Sequence, residues 1–296
     1  MVRFVDLLAR VGTSIKGIEM ENKTSVLMSV YAKENASFFN TAIESILVNQ
    51  SRKPDEFVLV CDGPLTLELD QVITKYKDAF PNSFIVYRLK KNVGLGKALK
   101  YGLKKCRYNI IIRADSDDIC ALNRIKTQFD YLVAHPDISI VGSHIDEFID
   151  NWKMPTNIKK MPLSNEELIK MAKFRNPINH MTVAFRRDDI LKIGSYRHIP
   201  YIEDYELWVR AIINGCKLAN IDEVLVHARI GNGMVKRRGN KQYIKSWKKL
   251  CEYMYAKRMI NKRELIRNMF AVCAFVYTPT YIKKLLYKNV LRKKGQ

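Results

Sequence analysis

Residues 109–118 (Asn-Ile-Ile-Ile-Arg-Ala-Asp-Ser-Asp-Asp) pass from a β-branched run directly into a cluster of acids, Asp115, Asp117 and Asp118. An apolar run this short and this rich in Ile is too brief for a helix and reads as a buried central strand of a parallel sheet. Ligands of such sheets bind beyond the carboxyl ends of the strands, where the three acids fall. Carboxylates so crowded repel one another unless a cation sits among them, and hard oxygen ligands suit Mg²⁺ or Mn²⁺. The Asp-x-Asp spacing therefore points to a divalent ion holding a phosphate. On this motif alone the alternative is a solvated turn in which Asp118 caps a helix beginning near Ala121.

Around this stretch the chain alternates strand and helix. Strands are expected at 24–30, 56–61, 83–88 and through the opening run, and helices at 37–49 (Phe38, Ala42 and Ile46 on one face, Ser37 as cap), 67–80, from Leu95 (Leu95, Ala98, Leu99, Gly102 and Leu103 on one face) and 121–134. Four strand-helix units in a row predict an α/β fold, an open and mostly parallel sheet with helices on both faces. The second half is less regular. It offers a strand at 138–142 continuing as 144–149, a loop at 152–162, a capping box Ser164-x-x-Glu167 opening a helix to Phe174, a strand at 181–185, a helix from Glu203 closed by Gly215, and a strand at 223–227.

At 296 residues with 47% hydrophobic content, the chain can bury one substantial core and a smaller attachment. The six cysteines lie far apart, without C-x-x-C or zinc spacing, and read as incidental thiols in a reducing compartment. Residues 1–23 lack an uninterrupted apolar core and a cleavage pattern, so they read as a short extra helix or leader rather than a signal peptide. No apolar run reaches the ~20 residues that cross a bilayer. The net charge of +21 is uneven: residues 236–296 hold 18 Lys/Arg against two acids, Glu252 and Glu264. Such a tail seeks nucleic acid or an anionic membrane.

If the sheet is right, the ends of its first, second and fourth strands bring Tyr31, Asp62 and the acids 115–117 into one crevice. That set suits a nucleotide, with a ring on Tyr31, a base or ribose hydrogen bond to Asp62 and diphosphate on a metal. Taken alone, Asp62 reads first as the opening residue of an Asp-Gly-Pro turn. Gly94-Leu95-Gly96-Lys97 is short of a full phosphate-loop pattern, though Lys97 can reach a phosphate from the first turn of its helix. Glu203-Asp204-x-Glu206 precedes an amphipathic helix; Asp204 is either a general base or the helix cap.

Taken in order, these pieces resemble the family 2 inverting glycosyltransferases of the GT-A (nucleotide-diphospho-sugar transferase) fold. The resemblance rests on Ser25 to Tyr31, Val60-Cys61-Asp62-Gly63, Asn92-x-Gly94-Leu95, Arg113-Ala114-Asp115-Ser116-Asp117-Asp118 and Tyr201 to Trp208, and it spans 24 to about 239. It implies that Ser29 and Tyr31 contact the uracil end of a UDP-sugar, Asp62 the base and Asp115 the ribose. Asp117, with Asp115, would hold Mn²⁺ or Mg²⁺ at the diphosphate. Asn92, Lys97, Arg237 and Arg238 would complete the donor site. Asp204 resembles the catalytic base, with Glu203 and His180 beside the acceptor. The chain is also similar to the subgroup that adds galactose or glucose, in β-1,3 linkage, to N-acetylglucosamine diphospho-undecaprenol in O-antigen and capsule synthesis. The Gln-x-x-Arg-Trp signature of processive synthases is missing, so a single addition is expected. The resulting expectation is a leader at 1–23, a catalytic domain at 24–240 divided near 142 into nucleotide and acceptor halves, and a basic helical tail at 241–296. Its partners would be a UDP-sugar, a polyprenyl-diphosphate-linked acceptor and the anionic inner leaflet, with no nucleic acid, and its location cytoplasmic and peripheral to the membrane. The rival readings are a nucleic-acid binder, suggested solely by the tail, and a nucleotidyltransferase on a similar sheet.

Overall fold

The computed structural model describes residues 22–230 and 240–278. β1 (Thr24–Val30) and β2 (Glu56–Cys61) coincide with the two expected apolar runs and are buried along nearly their whole length. β3 (Phe84–Arg88) and β4 (Ile110–Ala114) join them in a parallel set, with β1 between β2 and β4 and β3 outside β2. The remaining strands are β5 (Ile119–Cys120), β6 (Ile138–Phe148), β7 (Asn157–Lys159), β8 (Ala184–Arg186) and β9 (Lys217–Arg229). They extend the sheet in the order β3-β2-β1-β4-β8-β6-β9-β5, with β7 on β6. Short β8 runs antiparallel to both β4 and β6, and β9 is parallel to β6. The carboxyl ends of β1, β2, β4, β6 and β9 therefore share one edge, and the sheet is mostly parallel as expected.

Two cores form because successive strand residues face opposite sides. Val26, Met28 and Val30 pack with Phe39, Ile43 and Leu69 of α1 (Ala36–Ile43) and α2 (Leu67–Ala79), and with Ile125 of α4 (Arg124–Ala134). Leu27 and Val60 pack on the other side with Leu99 of α3 (Leu95–Lys105), Ile190 of α6 (Arg187–Lys192) and Trp208 of α7 (Glu203–Ile213). α3 lies flush on the sheet at Gly102, where a Cβ would come 2.5 Å from Leu27 Cδ1 and 2.7 Å from Val60 Cγ2. α5 (Asn165–Ala172) opens with the expected capping box of Ser164 and Glu167. α8 (Lys241–Ala256) and α9 (Lys262–Tyr277) form a third core, packing Trp247, Met254 and Val272 around Ile202, Tyr205 and Val209. The tail thus begins as a pair of helices docked on α7. All six cysteines are free, and burial pushes the Cys61 thiol up to about 11.

Several local expectations need correction. Asn35, not Ser37, caps α1, accepting the backbone N–H groups of Ser37 (2.9 Å) and Phe38 (3.2 Å). The inward positions of α1 are Phe39 and Ile43 rather than Phe38, and the helix continues through residues 44–48 as a π turn. α4 starts at Arg124 because residues 119–120 pair with β9 instead of starting a helix, and Asp118 accepts the backbone N–H of Arg229 (2.8 Å) rather than capping α4. The stretch at 181–185 is a 3₁₀ turn (His180–Thr182) before β8. The strand expected at 223–227 is the end of the much longer β9, whose pairing with β6 shifts register between Ile221 and Val224. That irregularity leaves Asp222 and Glu223 exposed and hides the strand from a period-two reading. The loop at 152–162 contains β7.

Candidate active site

The carboxyl edge gathers side chains from both halves of the chain. At the end of β2, Asp62 is 4% exposed, and its two oxygens accept the backbone N–H groups of Val93 (2.7 Å) and Gly94 (3.0 Å). Asn92, whose side chain donates to the Asp62 carbonyl (3.2 Å), belongs to the same loop. Asp62 is thus more than a turn residue: it pins the loop that enters α3, which Gly94 starts from the left-handed region (φ 89°). Lys97 stands exposed on the first turn of α3. Tyr31, 39% exposed, and half-buried Ser29 occupy the end of β1, where the Val30 carbonyl accepts the Asp62 N–H (2.8 Å). Asp62→Ala is expected to cost about 2 kcal/mol, since two partly buried backbone donors lose their acceptor. Urea denaturation measures it, and a loss under about 0.5 kcal/mol would contradict the pinning role.

Beyond β4 the acids take unequal positions. Arg113, 1% exposed within an otherwise apolar strand, grips both oxygens of Asp115, with Nη1 2.7 Å from Oδ2. Asp117 is pushed up to about 7, by burial first and then by the like charges of Asp115 and Glu34. Asp118 is held well above the usual carboxylate range, by burial first and then by Asp117 and Asp115. Glu34 reaches this loop from the end of β1 and accepts the Ser116 hydroxyl (2.6 Å). Arg229, the last residue of β9, braces the loop. Its backbone N–H meets Asp118, its Nε donates to the Asp117 carbonyl (3.2 Å), and its guanidinium lies 3.7 Å from the Phe38 ring and 4.5 Å from that of Phe148.

The acids fit a divalent ion in part. Among the described residues no group of three or more His, Cys, Asp or Glu forms a metal cage. Mg²⁺ and its relatives are, however, commonly held by one or two carboxylates together with substrate phosphates. A carboxylate lifted by burial and by like charges, as Asp117 is, becomes easier to ionise beside a cation. Asp117 with Asp115 is the pair that suits such an ion.

The acids at the start of α7 meet different neighbours, with Asp204 turned about 100° away from Glu203. Glu206 turns inward and is paired with Arg210 (2.9 Å), both buried. Glu203 packs beneath α3, where a Cβ on Gly96 would lie 3.0 Å from its Cγ. Asp204 accepts from the Asn176 side chain (2.6 Å) and does not cap the helix, whose cap position is Ile202 with no side-chain bond. The chain enters α7 through Tyr201 in the left-handed region (φ 74°), a conformation that costs energy and recurs at functional sites.

One buried side chain lies within electrostatic reach of both acidic groups. Burial holds the Tyr196 phenol above its usual range; Arg113 opposes this, while Asp204 and Asp115 add to it. The Tyr196 hydroxyl is 3.1 Å from His180 Nε2, and burial, followed by the charge of Arg113, holds that imidazole well below its usual pKa and so neutral. Arg113 is thus bonded to Asp115 and His180 to Tyr196, and the charges of Asp115 and Asp204 both act on Tyr196, although β4 and α7 are remote in sequence. Arg237 and Arg238 lie outside the described residues. Sequence reasoning does not single out Glu34, Arg113, Asn176 or Tyr196. Arg113 carried a signal, a charge inside an apolar strand that demands a partner; Asn176 and Tyr196 carried none.

Fold comparison first identifies the class. The structure matches S. aureus TarS (residues 1–349) in complex with UDP-GlcNAc, with a TM-score of 0.63 at 16% identity, covering 90% of this chain and 76% of that one. It also matches the mannosyltransferase PcManGT from Pyrobaculum calidifontis, in complex with GDP-Man and Mn²⁺, with a TM-score of 0.60 at 12% identity over 90% and 79% of the two chains. These likenesses establish a GT-A fold. The family model for glycosyl transferase family 2 matches residues 25–194. The amylovoran biosynthesis glycosyltransferase AmsE of Erwinia amylovora is 41% identical over 75% of this chain and 82% of its own length. The UDP-Gal:alpha-D-GlcNAc-diphosphoundecaprenol beta-1,3-galactosyltransferase of Escherichia coli is 36% identical over 92% of this chain and 97% of its own. The chain belongs to glycosyltransferase family 2.

Proposed function

We propose that the protein moves a hexose, galactose foremost and glucose next, from a UDP-sugar to N-acetylglucosamine diphosphate carried on a polyprenol, with inversion at the anomeric carbon. The observation that supports this reading is that the charges of Asp115, on the donor side, and of Asp204, the candidate base, both act on the buried Tyr196 phenol. The similarity to the E. coli galactosyltransferase supports the choice of substrates. Tyr31, Ser29, Asp62 and the Asn92 loop receive the uridine, and Lys97 faces the diphosphate. Asp204, oriented by Asn176, accepts the proton of the acceptor hydroxyl as that oxygen attacks the anomeric carbon, and the bond to UDP breaks on the opposite side. His180 and Glu203 line the acceptor side. Asp117 and Asp115 would hold a divalent ion, Mn²⁺ or Mg²⁺, which when bound supplies charge stabilisation to the departing diphosphate.

In this reading the division near residue 142 separates nucleotide-binding from acceptor-binding residues within one continuous sheet, since β6 runs across it. No helix among the described residues is long and apolar enough to cross a membrane. We place the protein on the cytoplasmic face of an anionic membrane, docked through the basic tail, where exposed Tyr255, Ile266, Phe270 and Tyr277 accompany the cations. UDP release is the test, with UDP-galactose and UDP-glucose offered in turn with and without a lipid-linked N-acetylglucosamine diphosphate. Release that requires the acceptor and is fastest with UDP-galactose is expected. Release unaffected by the acceptor, or none with any UDP-sugar, would overturn the assignment.

A further inference from the structure

A crevice of about 310 Å³ lies between α5 and the C-terminal helices, lined by Phe174, Trp247, Arg267, Asn268, Ala271 and Val272. Its size is at the lower end of the ~300–1,000 Å³ typical of sites for small organic ligands. The lining is apolar and aromatic apart from Asn268 and one cation, Arg267, whose guanidinium donates to Asn268 Oδ1 (3.0 Å) and lies 5.6 Å from the Phe174 ring. Phe174 is 50% exposed, so the crevice reaches the surface beside it. Trp247 carries a buried indole N–H that meets no acceptor among the described residues. Buried donors are normally paired, and this unmet one belongs to a residue that lines the crevice.

The crevice is coupled to the active site through the five residues 172–176. Tyr205 donates its hydroxyl to the Ala172 carbonyl (2.8 Å), and Asn268 donates to that of Lys173 (2.7 Å). Phe174 lines the crevice and Asn176 holds Asp204 (2.6 Å). Phe174 and Asn176 are two residues apart, so their Cα atoms are separated by no more than ~7 Å. An elongated acceptor whose sugar sits at Asp204 has a route from there to the crevice along this segment.

We propose that the crevice receives the polyprenyl end of the acceptor, with its first isoprenoid unit against Phe174, Ala271 and Val272 and its diphosphate at Arg267 and the Trp247 N–H. The proposal rests on the reading that the acceptor is lipid-linked. The complementarity is in the chemistry, since an amphiphile that joins an anion to an apolar chain matches a cation and a free N–H set beside an apolar wall. The apolar α9 surface formed by Ile266 and Phe270, both exposed, continues outward for the rest of the chain to follow.

Titration calorimetry with geranylgeranyl diphosphate, which carries the apolar chain and the diphosphate but no sugar, tests the crevice without any transfer assay. Wild type is expected to bind it, and Ala271→Phe, which fills the crevice from an exposed helical position, and Arg267→Gln should each weaken binding about tenfold, equivalent to ~1.4 kcal/mol. No binding by wild type, or binding by both variants as tight as that of wild type, would overturn the proposal. Transfer assays separate this from the underlying reading. Ala271→Phe should raise KM about tenfold for a polyprenyl-linked acceptor and leave a butyl-linked one unchanged. An equal effect on both acceptors counts against the crevice. If wild type binds the diphosphate but transfers to neither acceptor, the lipid-linked reading fails while the crevice stands.

Discussion

Asp204→Asn is expected to lower kcat by about 10³-fold while leaving UDP-sugar affinity within about twofold, because a positioned general base contributes ~10²–10⁴-fold to the rate and little to donor binding. The substitution isolates the chemistry. An amide at 204 keeps the size of the carboxylate and still offers an oxygen to the Asn176 side chain, which now donates to Asp204 across 2.6 Å. The folded structure should therefore be undisturbed, and the melting temperature should stay within about 2 °C of wild type, the change that a few tenths of a kcal/mol produce in a domain of this size. Glu206→Gln is the informative contrast. Glu206 lies two residues further along the same helix but is buried against Arg210 and Arg197, so its loss should appear in stability. Single-turnover kinetics on both variants separates the roles, and a loss of less than tenfold in Asp204→Asn would remove that residue as the base.

Asp117→Ala should abolish cation-dependent binding of UDP. In wild type, UDP with Mn²⁺ is expected to raise the melting temperature by several degrees, as ligands that bind only the folded state do, and in the variant the shift should vanish as affinity falls at least about 100-fold, or ~2.7 kcal/mol. The acid is set among like charges, with Asp115, Asp118 and Glu34 close by. Removing it relieves repulsion, so the variant without cation should be no less stable than wild type. This combination distinguishes a ligand-holding acid from a structural one, whose removal would lower stability with or without UDP. A variant that keeps its Mn²⁺-dependent shift would show that the ion, if one binds, is held elsewhere.

The parts of this fold that were legible in the amino-acid order are those in which local pattern and tertiary environment agree. β1 and β2 are covered on both faces, so their apolar runs end where the strands end, and the boundaries could be read directly. The capping box of Ser164 and Glu167 is likewise a local interaction that any context preserves. β5 and β7 were not legible, since strands of two and three residues exist only through their pairing with β9 and β6. β9 was seen only at its end because its irregularity expels two acids in mid-strand. The same division holds for the site. Asp62, Asp115, Asp117 and Asp204 stand in recognisable motifs, but the groups that hold them do not. Asn176 and Arg229 act through contacts spanning 28 and 111 positions. Phe38 shows the limit well: its spacing suggested a core position, and the fold uses it as a platform for the Arg229 guanidinium.

The proposed transfer needs a donor-side acid pair and a base to meet across a single sugar. The most direct measurement is a crystal structure with the intact UDP-sugar bound, read for the distance from the Asp204 carboxylate to the anomeric carbon. A hydrogen bond of ~3 Å to the acceptor oxygen and a near-attack distance of ~3.3 Å predict a separation within about 7 Å, with Asp204 on the face of the sugar opposite the diphosphate. A separation beyond about 10 Å, which a single acceptor oxygen cannot bridge, or an Asp204 on the diphosphate side, would contradict it.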